Sequence, residues 1–231
     1  MNNKLKLAAM DFSGQIFKWT LWYLPIMLII YILVSIFINE QDINEMSFYA
    51  MALSANEIFM LVAGILSVFM FLELSVSLGL TRRTFLRAML LTGGIITIAL
   101  AAMTGIISVI MNFMPWFGGS IVVGDLESGP LVHILGHLLT TFTFFLGGFI
   151  ISIGFYRGFL GGMISIVLSL CILVAIDSLW MWQTRGTVFD IDVTPYASGN
   201  LFMTIVFSLF LIFFTVAILQ SLIRSVPVKV K

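Results

Sequence analysis

The sequence predicts an all-α membrane protein: six transmembrane helices, an N-terminal interfacial amphipathic helix, and both termini in the cytoplasm. Three observations predict it. Hydrophobic residues make up 61% of the 231-residue chain and charged residues only 10%, whereas soluble chains are near half apolar and a quarter charged. Six apolar runs each reach the roughly 20 residues that a helix needs to cross hydrocarbon. Nearly all the basic residues then fall on one side of a six-span chain, although the formal net charge is zero.

Residues 1–18 precede the first run, and the spans are expected at about 19–38, 58–79, 88–112, 131–154, 159–181 and 199–222. The runs are long and apolar all round, which excludes the short alternating segments of a β-barrel. The first run is too long for a cleavable signal and has no small-residue cleavage site after it. The loops near 39–57, 113–130 and 182–198 are too short for a soluble domain, so residues 1–231 form a single transmembrane domain.

Basic residues mark cytoplasmic loops. Lys4, Lys6 and Lys18 precede span one, and Arg82, Arg83 and Arg87 lie between spans two and three. Arg157 lies between four and five, while Arg224, Lys229 and Lys231 follow span six. Only Arg185 falls on the opposite side, where Glu40, Asp42, Glu45, Asp125, Glu127, Asp190 and Asp192 gather. Trp19, Trp22 and Tyr23 suit an inner interfacial belt, and Trp116, Trp180 and Trp182 an outer one.

Ahead of span one, Leu5, Ala9, Phe12, Ile16 and Trp19 recur at helical spacing, with Lys4, Asp11, Gln15 and Lys18 opposite. Such a stripe suits a helix lying in the membrane interface, as a simple anchor or as an elbow that gates a lateral path. Gly14 predicts a bend within it.

The turn between spans two and three is the most informative stretch. Gly79 is placed to end span two as the residue after its C-cap. Thr81 is placed to cap a new short helix. Arg82 and Arg83 then face the cytoplasm, and Phe85 and Leu86 give that helix an apolar side. Such a turn either fixes topology by charge or docks a partner. The segment Gly79-Leu80-Thr81-Arg82-Arg83-Thr84-Phe85, with Leu78 before it, resembles the first cytoplasmic loop of small bacterial type-2 ABC-exporter permeases. These include Gram-positive antimicrobial-peptide, lantibiotic-immunity and phenol-soluble modulin export permeases. The resemblance implies that this stretch is a coupling helix seated on a cytoplasmic ABC ATPase. It also implies a second permease copy or related permease, and a multi-pass subunit of the bacterial cytoplasmic membrane. The outer loop before span six departs from larger relatives in having no apolar re-entrant hairpin. No Gly-x-x-x-x-Gly-Lys-[Ser/Thr] loop occurs in the chain, so ATP would be bound and hydrolysed by the partner. No cofactor, metal or nucleic-acid partner is expected.

Polar groups within the spans are costly unless paired. Glu73 lies near the inner end of span two, within reach of Arg82 or Arg83 for a structural or transmitting ion pair. His133 and His137 are four residues apart on span four, half a metal site or a hydrogen-bonded pair. Asp177 sits near the outer end of span five as an interfacial carboxylate. Small residues line two faces, at Gly136, Thr140, Thr143 and Gly147 beside His133, and at Gly158, Gly162, Ser165 and Ser169; both suit close helix packing. Lone Cys171 is expected to be a small buried hydrophobe.

The sequence therefore predicts an ABC permease subunit rather than an enzyme, exporting an amphipathic or hydrophobic substrate such as a peptide or lipid-like molecule. The alternative is the substrate-binding membrane component of another system, such as a vitamin-capturing importer subunit.

Overall fold

A computed structural model describes residues 3–37, 48–113, 130–180 and 201–224. These form six helices: α1 Asn3–Phe37, α2 Phe48–Ser77, α3 Arg82–Asn112, α4 Pro130–Tyr156, α5 Phe159–Trp180 and α6 Leu201–Arg224. No strand occurs among the described residues. Each helix is long and apolar enough to cross a membrane, so the chain is a multi-pass helical membrane protein. The predicted outer-loop acids, Arg185, Trp116, Trp182, Lys229 and Lys231 lie outside the described residues.

The surface pattern is that of a bundle in hydrocarbon. Trp22, Leu160, Ile164, Phe210 and Phe213 are exposed on the outside, while Asn56, His137, Thr104 and Thr141 are buried. Many buried hydroxyls bond a carbonyl one turn back in their own helix. Examples are Thr20 to Ile16, Ser67 to Ala63 and Thr97 to Gly93. Such local bonds satisfy a hydroxyl that has no water to turn to. Cys171, expected inside, is on the bundle's outer surface.

Helix α4 is the axis of the bundle. Of its apolar window 72% is buried, against at most 44% for any other helix. It packs most extensively on α2 and α5. The α2 contact is a backbone crossing at two glycines. A Cβ on Gly64 would collide with the backbone of Phe145, and one on Gly148 with that of Leu61. The α5 contact follows the two small-residue faces read from sequence. Gly136 seats the ring of Trp180, Gly147 faces Ser169 and Leu173, and Gly154 faces Ser165 and Gly161. Small residues let dispersion contacts form between backbones where lipid removes the hydrophobic drive.

Two expectations need correction. Residues 1–18 do not form a helix of their own, because α1 continues from Asn3 through Gly14 and Pro25 to Phe37. Its stripe faces protein: Ala9, Phe12 and Ile16 are buried, Leu5 and Trp19 pack partly buried against the same core, and Phe12 meets the rings of Phe71 and Phe85. Helical periodicity is the same whether the partner is lipid or protein, so the pattern alone does not distinguish them. Trp180 is not in an interfacial belt. It is 1% exposed, and its indole N–H donates to Ser208 Oγ at 2.9 Å, tying α5 to α6.

Candidate functional site

The α2–α3 turn is built as its residues dictate. Gly79 adopts φ +77°, the left-handed conformation that costs glycine nothing. Its N–H reaches the Val76 carbonyl at 3.0 Å, and that of Leu80 reaches Ser75 at 2.9 Å. This is the paired closure of a Schellman motif. Thr81 then caps the next helix, its hydroxyl accepting from the Thr84 N–H at 3.2 Å. Two interlocked caps hold six residues in one shape.

The cap opens α3 itself, rather than the short separate helix expected. This reverses the role expected of Phe85. It lies in the first turn of α3, is fully buried, and stacks on Phe149 at 6.0 Å, with Phe12 edge-on at 5.9 Å. Phe85 fastens the turn to the core and presents nothing outward. The exposed part is Leu78 at 73%, with Gly79, Thr81 and Arg83 also exposed. Leu80 is partly buried against the core. Arg82 and Thr84 are half-buried.

Glu73 does not pair with Arg82. Arg82 donates to the Arg224 carbonyl at 3.1 Å, while the Tyr156 hydroxyl donates to Glu73 at 3.5 Å. In the next turn Arg157 donates to the Leu222 carbonyl at 3.1 Å. Two arginines from two turns thus cap the C-terminus of α6, where unsatisfied carbonyls concentrate negative charge. The charges read as topology signals also fasten this end of the bundle.

A second polar cluster lies at the opposite end, where four helices meet at Asn56. The Tyr23 hydroxyl of α1 donates to Asn56 Oδ1 at 3.1 Å. Asn56 Nδ2 donates to Thr104 Oγ1 of α3 at 3.0 Å, and lies 3.4 Å from His137 Nε2 of α4. An amide nitrogen only donates, so Nε2 accepts and the proton of neutral His137 sits on Nδ1. From there it faces Thr141 Oγ1 at 3.1 Å. Both ring nitrogens of His137 are therefore committed to protein partners. His133, one turn away, is also buried. Among the described residues no three His, Cys, Asp or Glu side chains gather as a metal set.

Beside this cluster is Glu57, a carboxylate missed in the sequence. It interacts with the Thr140 hydroxyl and feels the charge of Asp177 on α5. Thr140 has one proton and also faces the Gly136 and His137 carbonyls at 3.0 and 3.2 Å. Asp177 is half-buried on α5. Asn56 and Glu57 escaped notice because span two was expected to start at residue 58, whereas α2 begins at Phe48. A signal was present. Phe48, Ala52, Asn56 and Met60, all buried, recur every four residues through the supposed loop.

Asn56→Leu keeps the branching and the number of heavy atoms but leaves Tyr23, Thr104 and His137 each short of a partner. A loss of about 1–2 kcal/mol is expected, since hydrogen bonds between membrane helices contribute on that order. Tyr23→Phe should lose about 0.6 kcal/mol. Unfolding in mixed micelles measures both, and an unchanged Asn56→Leu would show that this junction contributes nothing to stability.

No family model matches the chain, and neither a curated protein nor a solved structure matches it.

Proposed function

We propose that this chain is the membrane-spanning subunit of an ABC transporter in the bacterial cytoplasmic membrane. A separate cytoplasmic ATPase supplies ATP hydrolysis, and a second copy or a related permease completes the transporter. Both termini and the α2–α3 turn face the cytoplasm, and the substrate is an amphipathic or hydrophobic molecule to be exported. The chain itself catalyses no reaction.

The observation that carries this reading is the α2–α3 turn. It is locked by two caps, and its exposed edge combines the apolar Leu78 with the basic Arg83. Behind that edge Phe85 is wedged between α1 and α4. A push on the turn therefore moves α2 and α3 together instead of bending a loop. Continuous helices lead from the turn to Asn56 and Thr104 at the far end. At 1.5 Å per residue, the 21 steps from Asn56 to Ser77 span about 30 Å. Motion of a docked ATPase thus has a stiff route to a polar junction in which four helices take part.

The apolar anchor in this contact is Leu78, not Phe85. Leu78→Glu should remove it and place a carboxylate on the basic edge while leaving the bundle folded. Binding to the ATPase should weaken by about 1–3 kcal/mol, the usual loss at an interface anchor. The test is co-purification of the full chain from the membranes of the cell that makes it. The ATPase is identified by its phosphate-binding loop and by nucleotide hydrolysis. Wild type should bring it down and Leu78→Glu should not. Equal recovery with both would make the turn a topology anchor only.

A further inference from the structure

A cleft of about 100 Å³ opens between the first turns of α3 and the last turns of α6. Its lining is Arg83, Leu86, Arg87 and Leu90 from α3, with Gln220, Ile223 and Arg224 from α6. The spacing arranges these by depth. Arg83 and Arg87 are one turn apart on one face of α3, as are Leu86 and Leu90 beside them; Gln220 and Arg224 repeat the interval on α6. Because the start of α3 lies beside the end of α6, where Arg82 bonds the Arg224 carbonyl, Arg83 and Arg224 line the mouth. Arg87 and Gln220 lie one turn in, and Leu90 lies deepest.

Three arginines thus line one small cleft, and among the described residues its lining contains no carboxylate. Each guanidinium carries a fixed charge and a planar fork of donors that matches phosphate oxygens. Like charges gathered at one small cleft repel unless an anion joins them. Below them the lining becomes aliphatic, and the outer faces that continue from the cleft are apolar and exposed. These carry Leu91, Ile95 and Ile98 on α3, and Leu209, Phe210 and Phe213 on α6. Charge at the membrane edge above an apolar wall is the complement of a lipid, not of a freely soluble anion.

We propose that this cleft binds an anionic glycerophospholipid. Arg83, Arg87 and Arg224 hold the headgroup phosphate, Gln220 donates to it, and the acyl chains lie along α3 and α6. The bound lipid joins the α2–α3 turn to the end of α6. It adds to the bond from Arg82 to the Arg224 carbonyl at 3.1 Å, so the joint depends on the lipid as well as on the protein. The site requires no assumption about the ATPase.

Native mass spectrometry of the full chain, released from micelles containing equal amounts of phosphatidylglycerol and phosphatidylcholine, tests this. Wild type should retain phosphatidylglycerol at least about fivefold over phosphatidylcholine, the effect expected of one guanidinium near an anionic lipid. Arg83→Gln with Arg87→Gln should abolish the preference. Gln220→Glu keeps all three arginines and places a carboxylate in the cleft, and it should also lower the preference. Lys4→Gln, outside the cleft, should leave it unchanged. Circular dichroism confirms that each variant retains its helices. Equal retention of the two lipids by wild type would overturn the proposal. So would a preference that survives in both cleft variants. Loss of the phosphatidylglycerol adduct to excess inorganic phosphate would reassign the cleft to a soluble anion and overturn the lipid assignment.

Discussion

Gly148→Leu is expected to prevent assembly of the folded bundle. Among the described helices α2 and α4 make the most extensive contact, and they cross where Gly148 meets the backbone of Leu61 to Ile65. Gly64 makes the reciprocal contact on Phe145 to Phe149. A side chain at either site lands on a peptide group, not on the end of a flexible side chain, so no rotamer change relieves it. The helices must separate, and Gly64 then loses its own contact. The expected loss is at least about 3 kcal/mol, the upper part of the range for overpacking. Gly94→Ala and Gly105→Ala are the controls, since no other atom lies within 4 Å of an added Cβ there. Both should be neutral, or stabilising by up to about 1 kcal/mol through helix propensity. Yield of monodisperse protein and the unfolding midpoint in detergent report the difference. A Gly148→Leu protein as stable as Gly94→Ala would refute the crossing.

Phe85→Ala should lower stability by about 3 kcal/mol, at the bottom of the range for removing a buried ring. The lower figure is appropriate because lipid is as apolar as the protein interior, so mainly packing is lost. The ring is fully buried between Phe12 and Phe149 and therefore joins α1, α3 and α4. Phe85→Leu should recover more than half of the loss by refilling the space. The outcome separates two roles that sequence alone left merged. As a core anchor, Phe85→Ala lowers the unfolding midpoint of the isolated chain. As a docking knob, it would leave that midpoint unchanged and weaken only ATPase binding.

What was legible in the sequence is what short-range physics determines. Six apolar runs produced six long helices, because length and hydropathy decide that outcome without reference to neighbours. Gly79 and Thr81 capped as expected, since each acts on backbone groups within five residues. The small-residue face of α4 and that of α5 met, with Gly147 against Ser169. What failed depended on the partner of a face. The stripe of α1 had the right period and the wrong neighbour, being seated on protein at Phe71 and Phe85. Phe85 and Trp180 were placed by residue type at a docking surface and a membrane interface, and both are buried. Asn56 and Glu57 were lost because span two was expected to start at residue 58. The helix includes them because Asn56 finds partners on α1, α3 and α4. The ABC reading rests on the short stretch from Leu78 to Phe85, of which the outward edge is Leu78, Gly79, Thr81 and Arg83.

Photo-crosslinking from residue 78 in intact cells tests that reading most directly. A photoreactive amino acid replaces Leu78 in one protein and lipid-facing Ile98, 63% exposed on α3, in another. A crosslinked adduct is expected from position 78 whose partner is an ATPase with a phosphate-binding loop, lost when Arg83→Glu is added. Position 98 should give lipid adducts or none. An adduct at position 78 with lipid alone, or none while position 98 reacts, would contradict the account and leave the turn as a topology anchor.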